Sequence, residues 1–110
     1  MPVKQDEYNR TCVLTVVGDL AGDEVAQFQR LADEAAESLN DFVIDLEKSG
    51  FIDSEGLEAL LSLKSRCEDN HGQLKLASLD ENVRKILEIT RLAHRFESHT
   101  DITAALRTMR

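Results

Sequence analysis

The stretch Asp53-Ser54-Glu55-Gly56-Leu57 sets one hydroxyl between two carboxylates, then a residue without a side chain, then an apolar anchor. An apolar run, Phe42-Val43-Ile44-Asp45-Leu46, and the pair Phe51-Ile52 precede it, and Leu57, Leu60, Leu61 and Cys67 follow at helical spacing. The serine therefore falls where a strand and loop end and a helix begins. Free N–H groups and the helix dipole favour an anion at such a terminus, so a hydroxyl there is suited to carrying a phosphate. A capping role fits the same place, because serine is a favoured N-cap whose oxygen accepts an N–H of the first turn. The two roles are compatible, since both put Ser54 at the surface end of a helix. Asp53 could orient the hydroxyl, contact a partner, or be an ordinary loop residue. Gly56 lets backbone or a partner's side chains come close to Ser54, and Leu57 anchors the helix start in the core. Asp53 and Glu55 are of the right type for acid–base work, but paired carboxylates at a helix start ordinarily serve the dipole and the cap.

The remaining chemistry-bearing residues exclude more than they suggest. There is no GxGxxG or GxxxxGK[ST] loop and no GxSxG elbow around Ser54. His71, His94 and His99 fall in predicted loops or beside a short edge strand, without HExxH or close paired spacing, and read as surface residues. Cys12 and Cys67 belong to no CxxC or Cys/His metal pattern and lie on the apolar phase of their elements, as buried reduced thiols do. These patterns predict no catalysis, no metal and no cofactor for this chain.

The elements that must position Ser54 can be read from periodicity. At 110 residues with 42% hydrophobic residues and no Trp, the chain predicts one domain, 1–110, with a core of Leu, Val, Ile and Ala. Cys12 to Val17 reads as a strand closed by Gly18, with Val3 to Tyr8 as a weaker, more polar edge strand. Val25, Phe28, Leu31, Ala32, Ala35 and Leu39 predict a helix over Asp23 to Leu39, with Asp23 and Glu24 suited to its first turn. Phe42 to Leu46, apolar almost throughout, predicts a central strand covered on both faces. A second helix is expected from Ser54 to Asn70, ended by His71-Gly72, then a strand over Gln73 to Ala77. The third helix starts near Ser78, whose spacing to Glu81 is that of a capping box, or at Asp80, which could cap alone. His94 to Glu97 reads as a last short strand, and Ile102, Ala105, Leu106 and Met109 as a terminal amphipathic helix. Such alternation predicts an α/β fold with a mostly parallel mixed sheet of four to five strands and about four covering helices.

Charge and hydropathy narrow the partners. A net charge of −8 opposes binding to nucleic acid or to anionic membrane surfaces. The basic residues Arg91, Arg95, Arg107 and Arg110 are diluted by Glu88, Glu97 and Asp101 and read as a solvated face. No apolar stretch approaches the roughly 20 residues of a membrane helix, and Met1 to Glu7 lacks a signal-peptide apolar region, so a cytoplasmic chain is expected.

Taken together, D-S-x-G-L after an apolar strand, Gly18-Asp19-Leu20, the G-x-L-x-L strand from Gly72 to Leu76 and the V-x-x-x-L-x-x-x-x-L helix from Val83 to Leu92 resemble the STAS domain of bacterial anti-sigma factor antagonists. The resemblance runs from Thr11 to Leu106. It implies that Ser54 is a regulatory phosphorylation site. It also implies that the unphosphorylated domain binds an anti-sigma factor with GHKL-type serine kinase activity and so frees a sigma factor. Phosphorylation by that kinase then ends binding, and a PP2C-type phosphatase restores the hydroxyl. ATP and magnesium belong to the kinase. The implied docking face is the Ser54 helix start, with Asp53, Glu55, Gly56 and Leu57, plus the Asp19 to Glu24 loop, with Asp19 and Asp23. A monomer is expected, with a dimer left open. Three positions depart from the family pattern: Ala21 stands where an acidic residue is common, Glu55 where Ser or Thr is common, and Arg91 where glycine is usual, so a different turn is expected before Leu92. Two other readings stand beside this one: a STAS subunit without phosphorylation in a lipid-transport ATPase complex or stressosome-like assembly, and a small-ligand sensor.

Overall fold

The computed structural model describes residues 3–109. Strands β1 (Val3–Tyr8) and β2 (Thr11–Val17) form a hairpin, followed by α1 (Asp23–Ala36), β3 (Asp41–Lys48), α2 (Ser54–Asp69), β4 (Leu74–Ala77), α3 (Glu81–Ile89), β5 (Glu97–His99) and α4 (Ile102–Arg107). The strands make one five-stranded sheet in the order β1-β2-β3-β4-β5. β1 runs antiparallel to β2, and each later pair is parallel. This is the mixed, mainly parallel α/β sheet that the alternation of elements predicts.

Alternation along the strands sorts side chains between two layers. Leu14, Val16, Phe42, Ile44, Leu74 and Leu76 face the main core with Phe28 of α1, Leu60 and Leu63 of α2 and Val83 and Leu87 of α3. Val13, Val43 and Ala77 face the other side, where Ala105, Ile102, Leu106 and Met109 cover them. Residues 42–46 are therefore buried on both faces, as expected of a central strand. The same outer layer holds the buried Lys75, whose ammonium donates to Thr108 Oγ1 at 2.6 Å and pairs with Glu97 at 3.0 Å. These bonds tie the end of α4 to the sheet.

The helix ends differ from expectation in instructive ways. α1 stops at Ala36 rather than Leu39; the amides of Ser38 and Leu39 both turn back to the Ala35 carbonyl, and Leu39 still reaches the core. α2 ends with His71, not Gly72, in the left-handed region (φ 64°), while the Gly72 amide bonds the Cys67 carbonyl at 2.7 Å. Gly72 is needed for another reason: a Cβ there would overlap the Asn40 carbonyl oxygen. Asp80 caps α3 alone through the Asn82 amide at 2.7 Å. Ser78 forms no capping box, because it takes a left-handed backbone (φ 59°) and its hydroxyl bonds the Thr100 carbonyl instead.

The expected turn difference before Leu92 does not occur. Arg91 takes φ 62°, and the amides of Arg91 and Leu92 close back onto Glu88 and Leu87 in the manner glycine favours. The strand expected over His94 to Glu97 is displaced: Ala93–Arg95 form a 3-10 turn, Phe96 is buried and pairing starts at Glu97. Arg91, Arg95 and Arg107 are exposed, as a solvated face requires, and Arg110 lies outside the described residues.

Candidate functional site

Beyond the ends of β2 and β3 the two following loops continue side by side. The Gly18 amide bonds the Lys48 carbonyl at 3.0 Å, the Leu20 amide bonds the Phe51 carbonyl at 3.0 Å, and the Asp53 amide bonds the Leu20 carbonyl at 3.3 Å. Leu20 and Ile52 form an isolated parallel bridge, and both side chains are buried. The segment leading to Ser54 is thus held as a short extension of the sheet.

Asp53 ends that extension and starts α2. Its backbone is extended (φ −90°, ψ −178°), and its side chain accepts the Gly56 amide at 2.8 Å through Oδ1. Asp53 is therefore the N-cap, and the capping role considered for Ser54 is not the one it takes. The other oxygen, Oδ2, accepts the Gly22 amide at 3.1 Å. Gly22 has φ 58°, a conformation that suits glycine, and it stands immediately before α1. One carboxylate thus joins the starts of both helices.

Ser54 is the first residue of α2 and is exposed. Its hydroxyl makes no hydrogen bond to any other described residue. Glu55 follows as the second helical residue, also exposed. Gly56 is buried, because a Cβ there would overlap the Leu20 carbonyl oxygen and lie 2.8 Å from Ile52 Cγ2. Its missing side chain lets the Leu20 backbone come close to the helix start, which is the backbone approach expected of it. Leu57, 7% exposed, anchors the helix in the core as expected.

Asp19 and Asp23 are exposed on the loop and at the start of α1, and Glu24 joins Asp23 in the first turn of that helix. No hydrogen bond among the described residues links Asp19, Asp23 or Glu55 to Ser54. The structure joins the loop to the helix start through Asp53, Gly22 and Leu20 rather than through those acids. The bond from the Gly22 amide to Asp53 is not legible from the place of Gly22 in the Asp19 to Glu24 loop. Phe51 is 47% exposed while its neighbour Ile52 is buried, the in-and-out alternation of a bridge continued past β3.

Both cysteines lie in the main core, with their thiols pushed up to about 12, chiefly by burial. His71 and His94 are exposed, whereas His99 is half-buried against Glu97 at 2.6 Å. Among the described residues no cluster of His, Cys, Asp or Glu could hold a metal, and no helix is long and apolar enough to cross a membrane.

The family model of the STAS domain matches residues 3–105. The chain belongs to the STAS domain family. Solved STAS structures superpose closely at low identity. A Thermotoga maritima protein provisionally assigned as an anti-sigma factor antagonist is 17% identical, with a TM-score of 0.90 over 97% of this chain and 93% of that one. The unphosphorylated anti-sigma factor antagonist SpoIIAA is 22% identical, with a TM-score of 0.82 over 96% and 94%. A sulfate transporter family protein from Wolinella succinogenes is 18% identical, with a TM-score of 0.77 over 91% and 84%. No curated protein sequence matches the chain. At these identities the likeness shows that the STAS fold is shared.

Proposed function

We propose that this STAS domain is an anti-sigma factor antagonist switched by phosphorylation of Ser54. The observation that carries the reading is the division of labour at the start of α2. Asp53 takes the cap, and the Ser54 hydroxyl is exposed, with no hydrogen bond among the described residues, at the positive end of a sixteen-residue helix. A kinase can reach such a hydroxyl without breaking a native bond. In this reading the chain is a substrate and a binding module, not an enzyme.

The unphosphorylated face docks on an anti-sigma factor with GHKL-type serine kinase activity, and the sigma factor is freed. Phosphate adds about −1.5 to −2 charge to a rim that already carries Asp19, Asp23, Asp53 and Glu55. At the helix N-terminus that charge is locally favourable by about 0.3–1 kcal/mol, so the fold stays intact and the docking surface changes. Moving a partition from 99:1 to 1:99 takes about 5.5 kcal/mol, which an unpaired dianion buried against a partner can supply. A PP2C-type phosphatase resets the switch. Glu55 puts a permanent charge beside the acceptor, which weakens partner binding or alters which kinase accepts Ser54.

The test is intact-mass measurement with site mapping, on protein from its native cells and after incubation with a GHKL-type kinase and ATP. A gain of one phosphate at Ser54, absent in Ser54→Ala, supports the reading. No phosphate in either sample overturns it. The likeness to a transporter family protein would then favour a structural subunit of a larger assembly. Charge reversal at Asp23 with unchanged kinase affinity would remove the Asp19 to Glu24 loop from the docking face.

A further inference from the structure

Among the described residues no strand pairs with the outer edge of β1, and its sequence is self-complementary. We propose that this edge pairs antiparallel with β1 of a second copy, centred on Gln5, giving a weak, concentration-dependent dimer with a continuous ten-stranded sheet. The inference is independent of the Ser54 reading.

Turn geometry fixes which backbone groups are free. Tyr8 pairs with Thr11 across a two-residue turn in which Asn9 and Arg10 both have positive φ (50° and 66°). In such a hairpin the flanking pair is a hydrogen-bonded one, and hydrogen-bonded and open pairs then alternate along the ladder. Tyr8, Asp6 and Lys4 therefore spend their N–H and C=O groups on β2, while Glu7, Gln5 and Val3 point theirs outward. The register of β1 on β2 is unbroken from Val3 to Tyr8, so no bulge bends this edge away.

Symmetry fixes the register. A two-fold axis normal to the sheet keeps each face on its own side, so residues of like parity must meet across the new seam. Centring on Gln5 sets the outward groups of Gln5 against its own copy and those of Val3 against Glu7. It also places Lys4 directly opposite Asp6 of the second copy, twice, in the closer, non-hydrogen-bonded positions. Centring on Asp6 would oppose Asp6 to Asp6, and centring on Lys4 would oppose Lys4 to Lys4. Charged edge residues ordinarily discourage pairing; here Lys4 and Asp6 flank the axis with opposite sign and reward one register. Lys4, Gln5, Asp6 and Glu7 are all exposed and so available for it. The net charge of −8 on each copy opposes association and keeps it weak. Because the seam is antiparallel, the Ser54 faces of the two copies lie at opposite ends of the joined sheet, and both stay open.

The experiment is sedimentation equilibrium at near-physiological salt, from about 10 µM to about 1 mM chain. Wild type is expected to shift from monomer to dimer across that range. Lys4→Glu alone and Asp6→Lys alone each set like charges in register, and each is expected to weaken the dimer at least tenfold. Mixing the two variants sets opposite charges in both places and is expected to restore it. Gln5→Pro removes an outward N–H without touching β2 bonding and is expected to stay folded by circular dichroism and monomeric. A wild type that is monomeric throughout, or single variants that dimerise as well as wild type, or a mixture no better than its components, overturns the proposal.

Discussion

Asp53 holds Gly22: its Oδ2 accepts the Gly22 amide at 3.1 Å while Oδ1 accepts the Gly56 amide at 2.8 Å. A single carboxylate thus fixes the loop before α1 and the first turn of α2 to one another. Its neighbour Ser54 contributes nothing to that joint.

This contrast predicts unequal costs for adjacent residues. Asp53→Ala removes an N-cap, typically worth about 1 kcal/mol, and leaves two amides without their acceptor, so the loss is expected at about 2 kcal/mol. Ser54→Ala breaks no hydrogen bond among the described residues and is expected within about 0.5 kcal/mol of wild type. Urea unfolding of both variants checks the order. Amide exchange adds a local readout, with Gly22 exchanging faster in Asp53→Ala and unchanged in Ser54→Ala.

Gly56→Ala should destabilise the protein although alanine is the better helix former. The added Cβ would overlap the Leu20 carbonyl oxygen and approach Ile52 Cγ2, so the loop or the helix start must shift. Overpacking of this kind costs about 1–3 kcal/mol, against a helix-propensity gain of about 1 kcal/mol. The obstruction is backbone, which gives least, so the net expectation is a loss of about 2 kcal/mol in urea unfolding. A gain in stability would show that the helix start and the Leu20 loop are not locked together.

How much of this was legible in the sequence differs by element. The central strand and the apolar stripes of α1 and α2 followed from periodicity, because burial alone decides them. The helix start at residue 54 was legible too, but not which residue caps it. Asp and Ser cap about equally well, and the Leu20–Ile52 bridge upstream, which holds Asp53 extended, is a long-range fact. That Gly56 admits close approach was legible, but not that the Leu20 carbonyl is what approaches it, because that neighbour in space is remote in sequence. The displaced last strand has the same cause, since β5 pairs only where Lys75 to Ala77 of β4 lie beside it.

Arg91→Gly is expected to stabilise the protein by about 1 kcal/mol. Arg91 holds φ 62°, where a Cβ is disfavoured by roughly 1–2 kcal/mol, and glycine there gives back part of that gain through a freer unfolded chain. The arginine side chain is exposed and ends no ion pair among the described residues. Thermal unfolding of the two proteins at one pH checks the sign, and a lower midpoint for the glycine variant would contradict the strain argument.

Glu97 gives the fold a pH dependence of known sign. Hydrogen bonds from Lys75 and then His99 hold its carboxyl below the usual glutamate range. A carboxylate with a depressed folded value binds its proton later than the unfolded chain does. The stability it contributes is fully present above the unfolded value of about 4.3 and is lost as pH falls through the lower folded value. Glu97 is half exposed, so the effect is small. Wild type and Glu97→Gln should therefore converge in stability as pH falls from about 6 to about 3. The bond from Lys75 to Thr108 Oγ1 does not involve Glu97 and is expected in both proteins. Convergence in urea midpoints, with α4 amides still protected at the lower pH, is the expected result, and parallel curves would remove Glu97 from the linkage.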